Sequence, residues 1–229
     1  MRVVRNGRRQ RSAVEARPAD EAETDEAGDD NAVITHGEKA AREATRVGAH
    51  RQAAACYAQV LARGHRLSTA RRAALGEAYS WALSNSNQLH FAVAAAATAA
   101  ELWQQDGDDT RLIRALVTLS RQQWLTERTA AARTSAERAF ELARPLGDSY
   151  QNALATLNLG GLLVVIDREA DGLPYLDEAL GMAERCGAAR VAALCRNYRG
   201  SARLQLGDER GCEDLLASMA QATELDNHE

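Results

Sequence analysis

Residues 87–187 read NQLHFAVAAAATAAELWQQDGDDTRLIRALVTLSRQQWLTERTAAARTSAERAFELARPLGDSYQNALATLNLGGLLVVIDREADGLPYLDEALGMAERCG. Set against the chain with a shift of 40 residues, this stretch repeats. Ala92 falls on Ala132, Gly172 and Cys212, and Ala96 on Ala136, Leu176 and Leu216. Ala99 falls on Ala139, Ala179 and Met219, and Leu102 on Leu142, Met182 and Ala222. Gly107, Gly147 and Gly187 close three units in register, each where a helix would stop. A fixed period of this size marks a stack of helical pairs. The expectation is an all-α protein, an α-solenoid of about five antiparallel helix pairs.

Working outward, the helical pattern starts at Gly37. Helices are expected over 37–47, 49–63, 69–84, 88–106, 110–125, 129–144, 150–166, 170–186, 189–206 and 209–224. Ser68 or Thr69 supplies an N-cap oxygen, and Gly107-Asp108 and Gly147-Asp148 join a stop to the next cap. Gly207-Asp208 does the same inside the last pair. No pair buries both its apolar faces alone, so cohesion comes from the neighbouring pair. Gly160, Gly161 and Gly200 sit inside expected helices, where each costs about 1 kcal/mol against alanine. A close approach between helices accounts for them, and Gly160→Leu or Gly200→Leu should destabilise by overpacking. Glu213, Asp214, Ser218 and Gln221 make one side of the last helix polar, which argues against stacking at that end.

Residues 1–34 form a charged leader, expected to be disordered; 35–226 form the repeat domain and 227–229 a short tail. Arg2, Arg5, Arg8, Arg9 and Arg11 head the leader, and an acidic run from Glu15 to Asp30 follows. Its hydrophobes are too sparse to offset the entropy of ordering. No apolar stretch approaches the ~20 residues that span a bilayer, so no membrane association is expected and the chain reads as cytoplasmic. The composition agrees with close-packed helices: 45% hydrophobic but only 4% aromatic, with alanine dominating and three prolines. A net charge of −4 leaves no surface-wide attraction for polyphosphate, and direct nucleic-acid binding is not expected.

Cys56, Cys186, Cys195 and Cys212 lack paired spacing and read as reduced thiols, with Cys56 and Cys212 on inner helix faces and Cys186 partly exposed. His36, His50, His65, His90 and His228 are scattered and read as surface histidines. No zinc-protease helix, nucleophile elbow or phosphate loop is present, the single lysine being Lys39. No catalytic residue, metal or cofactor is expected, and the chain reads as non-enzymatic.

A small residue in the first helix of each unit, a glycine after it and Ala/large/Ala positions in the second resemble tetratricopeptide repeats. The fifth unit carries this through Gly200, Gly207, Cys212, Leu216 and Met219; the third through Ala132, Ala136 and Ala139; the first through Ala53, Tyr57 and Val60. The period of 40 exceeds that family's usual length, and its terminal proline is missing. The ends Glu101-Leu102-Trp103 to Gly107-Asp108 and Glu141-Leu142-Ala143 to Leu146-Gly147-Asp148, with GAHRQAAACYAQVL at 48–61, resemble the helical-repeat region of LuxR-type ATP-dependent regulators. That family flanks the repeats with an ATPase and a helix-turn-helix module, and the residues of neither are found in this sequence.

The resemblance implies a right-handed superhelix whose first helices line a concave groove. Glu77, Trp81 and Asn85 would come from unit two, Arg114, Arg121 and Trp124 from unit three, Leu157 from unit four, and Asn197 and Ser201 from unit five. A protein or peptide in that groove is the expected partner, since tryptophan and arginine often dominate binding energy. The alternative is a small inducer held inside the superhelix.

Overall fold

A computed structural model describes the backbone of residues 19–226 and the side chains of 30–225. The basic head of the leader and the tail at 227–229 lie outside the described residues. Ten α-helices follow one another: α1 (Ala19–Arg46), α2 (His50–Arg63), α3 (Thr69–Asn85), α4 (Leu89–Asp106), α5 (Asp109–Leu125), α6 (Thr129–Ala143), α7 (Tyr150–Val165), α8 (Glu169–Arg185), α9 (Ala189–Gln205) and α10 (Gly211–Asp226). No strand occurs among the described residues. Consecutive helices pair into five hairpins, and the second helix of each packs on the first helix of the next. The expected boundaries hold within about two residues, except that helix α1 starts at Ala19, well ahead of Gly37. Helix α10, expected over 209–224, is displaced by two residues at both ends.

The core is a ribbon threaded between hairpins, with no single centre. One cluster joins Ala73 of α3, Ala100 and Trp103 of α4, Ile113 and Leu116 of α5, Ala139 and Ala143 of α6, and Ala155 of α7. The next joins α7, α8 and α9 through Ala153, Leu176, Ala183, Val191 and Cys195. Each of the inner helices α2 to α9 therefore gains its burial from at least two neighbours, as a stack requires.

Within a hairpin the two helices cross where both carry small residues. Gly160 of α7 meets Gly172 of α8: a methyl carbon placed on Gly172 would stand 2.7 Å from the Gly160 carbonyl oxygen. The same carbon on Gly160 would lie 3.0 Å from Leu176 and Tyr175. In the last hairpin, a carbon on Gly200 would come within 2.7 Å of the Gly211 carbonyl oxygen. Ser80 and Ala92 hold the matching places in the second hairpin, both fully buried, and the Ser80 hydroxyl donates to the Ala92 carbonyl at 3.0 Å. Ser120 and Ala132, equally buried, keep the same offset in the third.

The register slips by one residue in the fifth hairpin. Gly200 faces Gly211, not Cys212, so the whole of α10 is turned from its expected orientation. Cys212 is exposed, and Leu216 and Met219, expected inside, are each 66% exposed. The polar residues go in instead. Asp214, 6% exposed, accepts from Arg199 through both carboxylate oxygens and from Arg203 Nη1 at 2.7 Å. Ser218 donates to the Ala193 carbonyl at 2.8 Å, and Gln221 accepts from Arg196 at 2.6 Å. The polar side of α10 is thus its packed side, contrary to the expectation that it blocks stacking.

Local chemistry sets the turns. Asn87, Glu127, Asp167 and Gly207 stand in register between the helices of successive pairs, all with φ between 59° and 81°. Ser68, Asp108 and Ser149 cap α3, α5 and α7 by accepting from the backbone N–H three residues on. At the third of these ends Asp148 was expected to cap. Its carboxylate instead takes Arg185 of α8 at 2.6 and 2.7 Å, leaving the cap to Ser149. Asp148 is exposed, and the Arg185 guanidinium holds its carboxyl below the usual range.

Two alanine substitutions separate the crossing from ordinary helix propensity. Gly172→Ala sets its methyl against a backbone oxygen that cannot turn aside, and should cost ~1–3 kcal/mol. Gly181→Ala, also in α8, meets only the mobile end of Arg185 and should leave stability unchanged or raise it by up to ~1 kcal/mol. Denaturant unfolding of both reads the contrast; equal effects would mean that the crossing is not tight.

Candidate functional site

The first helices of four hairpins, α3, α5, α7 and α9, line a trough containing two cavities that share Val117 and Leu154 as a common wall. The first, about 510 Å³, holds Glu77, Trp81, Arg114 and Tyr150. The second, about 250 Å³, holds Arg121, Trp124, Leu157, Asn158, Leu194 and Tyr198.

The lining follows the 40-residue register. Ala74, Arg114, Leu154 and Leu194 occupy one row; Glu77, Val117 and Leu157 another; Ala78, Thr118, Asn158 and Tyr198 a third; Trp81, Arg121 and Gly161 a fourth. These positions recur at i, i+3, i+4 and i+7 on each first helix, which is one helix face. Leu154, Asn158, Leu194 and Tyr198 were absent from the sequence-based set. Carrying Arg114 forward by one and two periods reaches Leu154 and Leu194, and carrying Trp81 forward by two reaches Gly161. In the fourth row, the missing side chain of Gly161 admits the Tyr198 ring, which would lie 3.2 Å from any methyl carbon there.

Of the nine expected groove residues, six line the trough. Glu77, Trp81 and Arg114 meet in the first cavity, and Arg121, Trp124 and Leu157 in the second. Trp81 and Trp124 keep 47% and 36% of their surface exposed, whereas Leu157 is buried and forms floor. Asn85 is elsewhere. Its side-chain amide donates to the Trp81 carbonyl at 2.8 Å, and it borders a separate hollow with His50 and Gln52. Asn197 and Ser201 line neither cavity, and the Ser201 hydroxyl is spent on the Asn197 carbonyl at 3.0 Å. The cavities form between consecutive first helices, and no first helix follows α9 among the described residues.

His50 also departs from expectation. It is half-buried, and its ring meets Trp81 edge-on, 4.9 Å between centroids at 84°. Trp81 is therefore braced by an aromatic contact while nearly half of its surface stays exposed. Cys195 packs in the core between α8 and α9, and burial pushes its thiol up to about 12, which removes it as a nucleophile at neutral pH.

The electrostatics of the two cavities differ. Glu77 is half-buried, and burial raises its carboxyl above the usual range, outweighing the Trp103 indole and the positive charges of Arg114 and Arg111. Arg111 itself lies over the Trp103 ring at 5.1 Å. Arg121 makes no ion pair or hydrogen bond among the described residues, and no residue lining the second cavity is acidic.

Because folding favours protonated Glu77, its contribution is fully present below the ordinary carboxylate range and is lost as pH rises through its raised value. Stability should therefore fall from about pH 4 to about pH 8 more in the native protein than in Glu77→Gln. Denaturant midpoints at the two pH values measure this; parallel changes would mean that Glu77 is not desolvated.

No family model matches the chain, and no curated protein does. Solved structures are similar in fold. The nearly identical TPR-like repeats assigned to a Podosopora anserina kinesin light chain share 13% identity with a TM-score of 0.67, over 85% of this chain and 96% of that one. Aspartyl phosphate phosphatase F from Bacillus subtilis gives a TM-score of 0.73 at 13% identity, over 85% of this chain and 51% of its own. The Rap conjugation gene regulator of plasmid pLS20, solved with the Phr* peptide, gives 0.66 at 12% identity, over 96% and 60%. The chain thus spans about half the length of the phosphatase and three-fifths of the Rap regulator. The architecture is a TPR-like α-solenoid.

Proposed function

We propose that this chain is a non-enzymatic scaffold that holds a peptide or an extended protein segment in the trough of α3, α5, α7 and α9. The observation that carries this reading is the open tryptophan pair. Trp81 and Trp124 stay about half and one-third exposed in the trough, beside the apolar Leu154 and Val117 and the guanidiniums of Arg114 and Arg121. Aromatic rings and arginines in a concave, partly desolvated setting are the groups that dominate interface energies. A long trough with two adjoining cavities suits an extended chain better than a compact metabolite. The Rap regulator of similar fold was solved in complex with a peptide, which supports the same class of ligand here.

The finer reading is a cytoplasmic regulatory or sensor module related to the repeat region of LuxR-type regulators. It rests on the two Glu-Leu…Gly-Asp unit ends and the 48–61 segment. A small inducer is the second reading, favoured by the first cavity, whose ~510 Å³ lies within the 300–1,000 Å³ usual for small-molecule sites. Thermal shifts with metabolites and none with peptides would support it.

Capture of peptides from a random pool by the intact chain tests the leading reading. The double variant Arg121→Ala, Trp124→Ala changes two exposed side chains and should fold normally. It should weaken the selected peptides by about 30-fold or more, given ~2 kcal/mol for a dominant contact. Equal capture by both proteins would refute the trough as the binding surface.

A further inference from the structure

We infer that the second cavity, between α5, α7 and α9, takes a bulky aliphatic side chain of a peptide whose adjacent residue is Asp or Glu, with that carboxylate held by Arg121. The inference rests on the peptide-binding reading above and names the ligand's chemistry. Three features of the cavity carry it.

The walls are apolar: Val117, Leu154, Leu157, Leu162, Val165 and Leu194. Val165 and Leu194 keep 37% and 45% of their surface in water, so an aliphatic guest would dry surface that folding has left wet. At about 250 Å³ the space is smaller than the range usual for drug-sized ligands and suits one or two side chains.

The polar groups have hydrogen bonds to give and none made. Ser120, 1% exposed, has a buried hydroxyl with no partner among the described residues, and the buried side-chain nitrogen of Asn158 has none there either. Both residues line this cavity. The equivalent serine one period earlier, Ser80, is satisfied: it donates to the Ala92 carbonyl and accepts from Gln122 at 2.8 Å. An orphaned buried polar group costs ~1–3 kcal/mol, and a ligand that satisfies it recovers that cost. An amide nitrogen can only donate and a hydroxyl can do so, which calls for oxygen acceptors. Backbone carbonyls flanking the buried side chain provide them; the methylene chain of a fatty acid does not.

The charge is one-sided. Arg121 sits at the cavity with no ion pair or hydrogen bond among the described residues, and no acidic residue lines the same space. The neighbouring cavity differs, since the Arg114 charge there acts on Glu77. A carboxylate beside the aliphatic residue therefore goes to Arg121, whose fork is built for it.

The test uses the full chain and a positional library of N-acetylated, C-amidated heptapeptides, so that terminal charges play no part. Enriched peptides should carry Leu, Ile or Val next to Asp or Glu. Fluorescence anisotropy of the best peptide should weaken about tenfold or more on Asp→Asn or Glu→Gln, and likewise on replacement of the aliphatic residue by Ala. In Arg121→Gln protein the acid-against-amide difference should shrink to about twofold while the aliphatic preference persists, since the apolar wall is untouched. Enrichment of peptides without acids, or an acid preference that survives Arg121→Gln, overturns this inference and leaves the peptide-binding reading standing. Octanoate displacing the best peptide at equal concentration also overturns it, by assigning the space to a free fatty acid. Failure to enrich any peptide overturns both.

Discussion

Everything in this fold depends on how closely the two helices of a hairpin approach. At the crossings of the second to fifth hairpins the residues are small: Ser80 with Ala92, Ser120 with Ala132, Gly160 with Gly172, Gly200 with Gly211. A Cβ on Gly172 or Gly211 would run into the opposite backbone, so the spacing is set by main-chain contact. Backbone atoms cannot rotate out of the way as a leucine can. This fixes the angle of each hairpin and, by repetition, the pitch of the stack. At the second hairpin, where serine stands in place of glycine, the Ser80 hydroxyl is bonded across the crossing to the Ala92 carbonyl, which keeps the separation short.

The fifth hairpin shows how strongly that constraint acts. It closes with one residue fewer than the register predicts, and the glycine contact is kept at the expense of the side-chain pattern. Leu216 and Met219 are turned outward, and Asp214 is carried into the space between α9 and α10. A buried carboxylate is costly unless it is paired and hydrogen-bonded. Arg199 and Arg203 supply both, and Arg199 also reaches Asp177 of α8 at 3.0 Å. The hydrogen bonds that Arg199 donates to Asp214 are the leading influence that raises its guanidinium, ahead of the opposing effect of burial. Three helices are joined here by charge where the other hairpins use alanine and leucine.

Much of this was legible in the sequence, because the signal was repetition. The 40-residue shift gave the architecture and most helix boundaries, and Gly160 and Gly200 pointed to the close crossings. What it could not give was the slip in the last hairpin, since the loss of one residue from a loop leaves every local pattern intact. Cys212, Leu216 and Met219 match their earlier counterparts well, yet backbone contact outranks apolar pattern. Nor did the acidic, hydrophobe-poor run at 19–30 announce the helix that continues α1. For the trough, choosing residues by type found Trp81, Arg114, Arg121 and Trp124 but passed over Asn158 and Tyr198. Asn85 was misjudged because its amide is spent on the Trp81 carbonyl at the helix end, a local bond invisible to periodicity.

The trough follows from the same geometry that builds the stack. Small residues draw each second helix against its first helix on one side, and the interior clusters occupy the space between hairpins. Among the described residues no helix is laid over the remaining face of α3, α5, α7 and α9. Along that face the residue types are free to diverge from repeat to repeat, since no packing partner constrains them. One row therefore reads Trp81, Arg121 and Gly161, and another Ala78, Thr118, Asn158 and Tyr198, while the crossing rows read only alanine, serine and glycine. Uniform rows hold the solenoid together, and the varied rows are the surface on which a ligand can be told apart from others. The buried orphans Ser120 and Asn158 stand where these two kinds of row meet, Ser120 at the crossing itself and both among the residues that line the trough. Their unmet hydrogen bonds belong to recognition for the same reason that Ser80, already satisfied within the stack, does not.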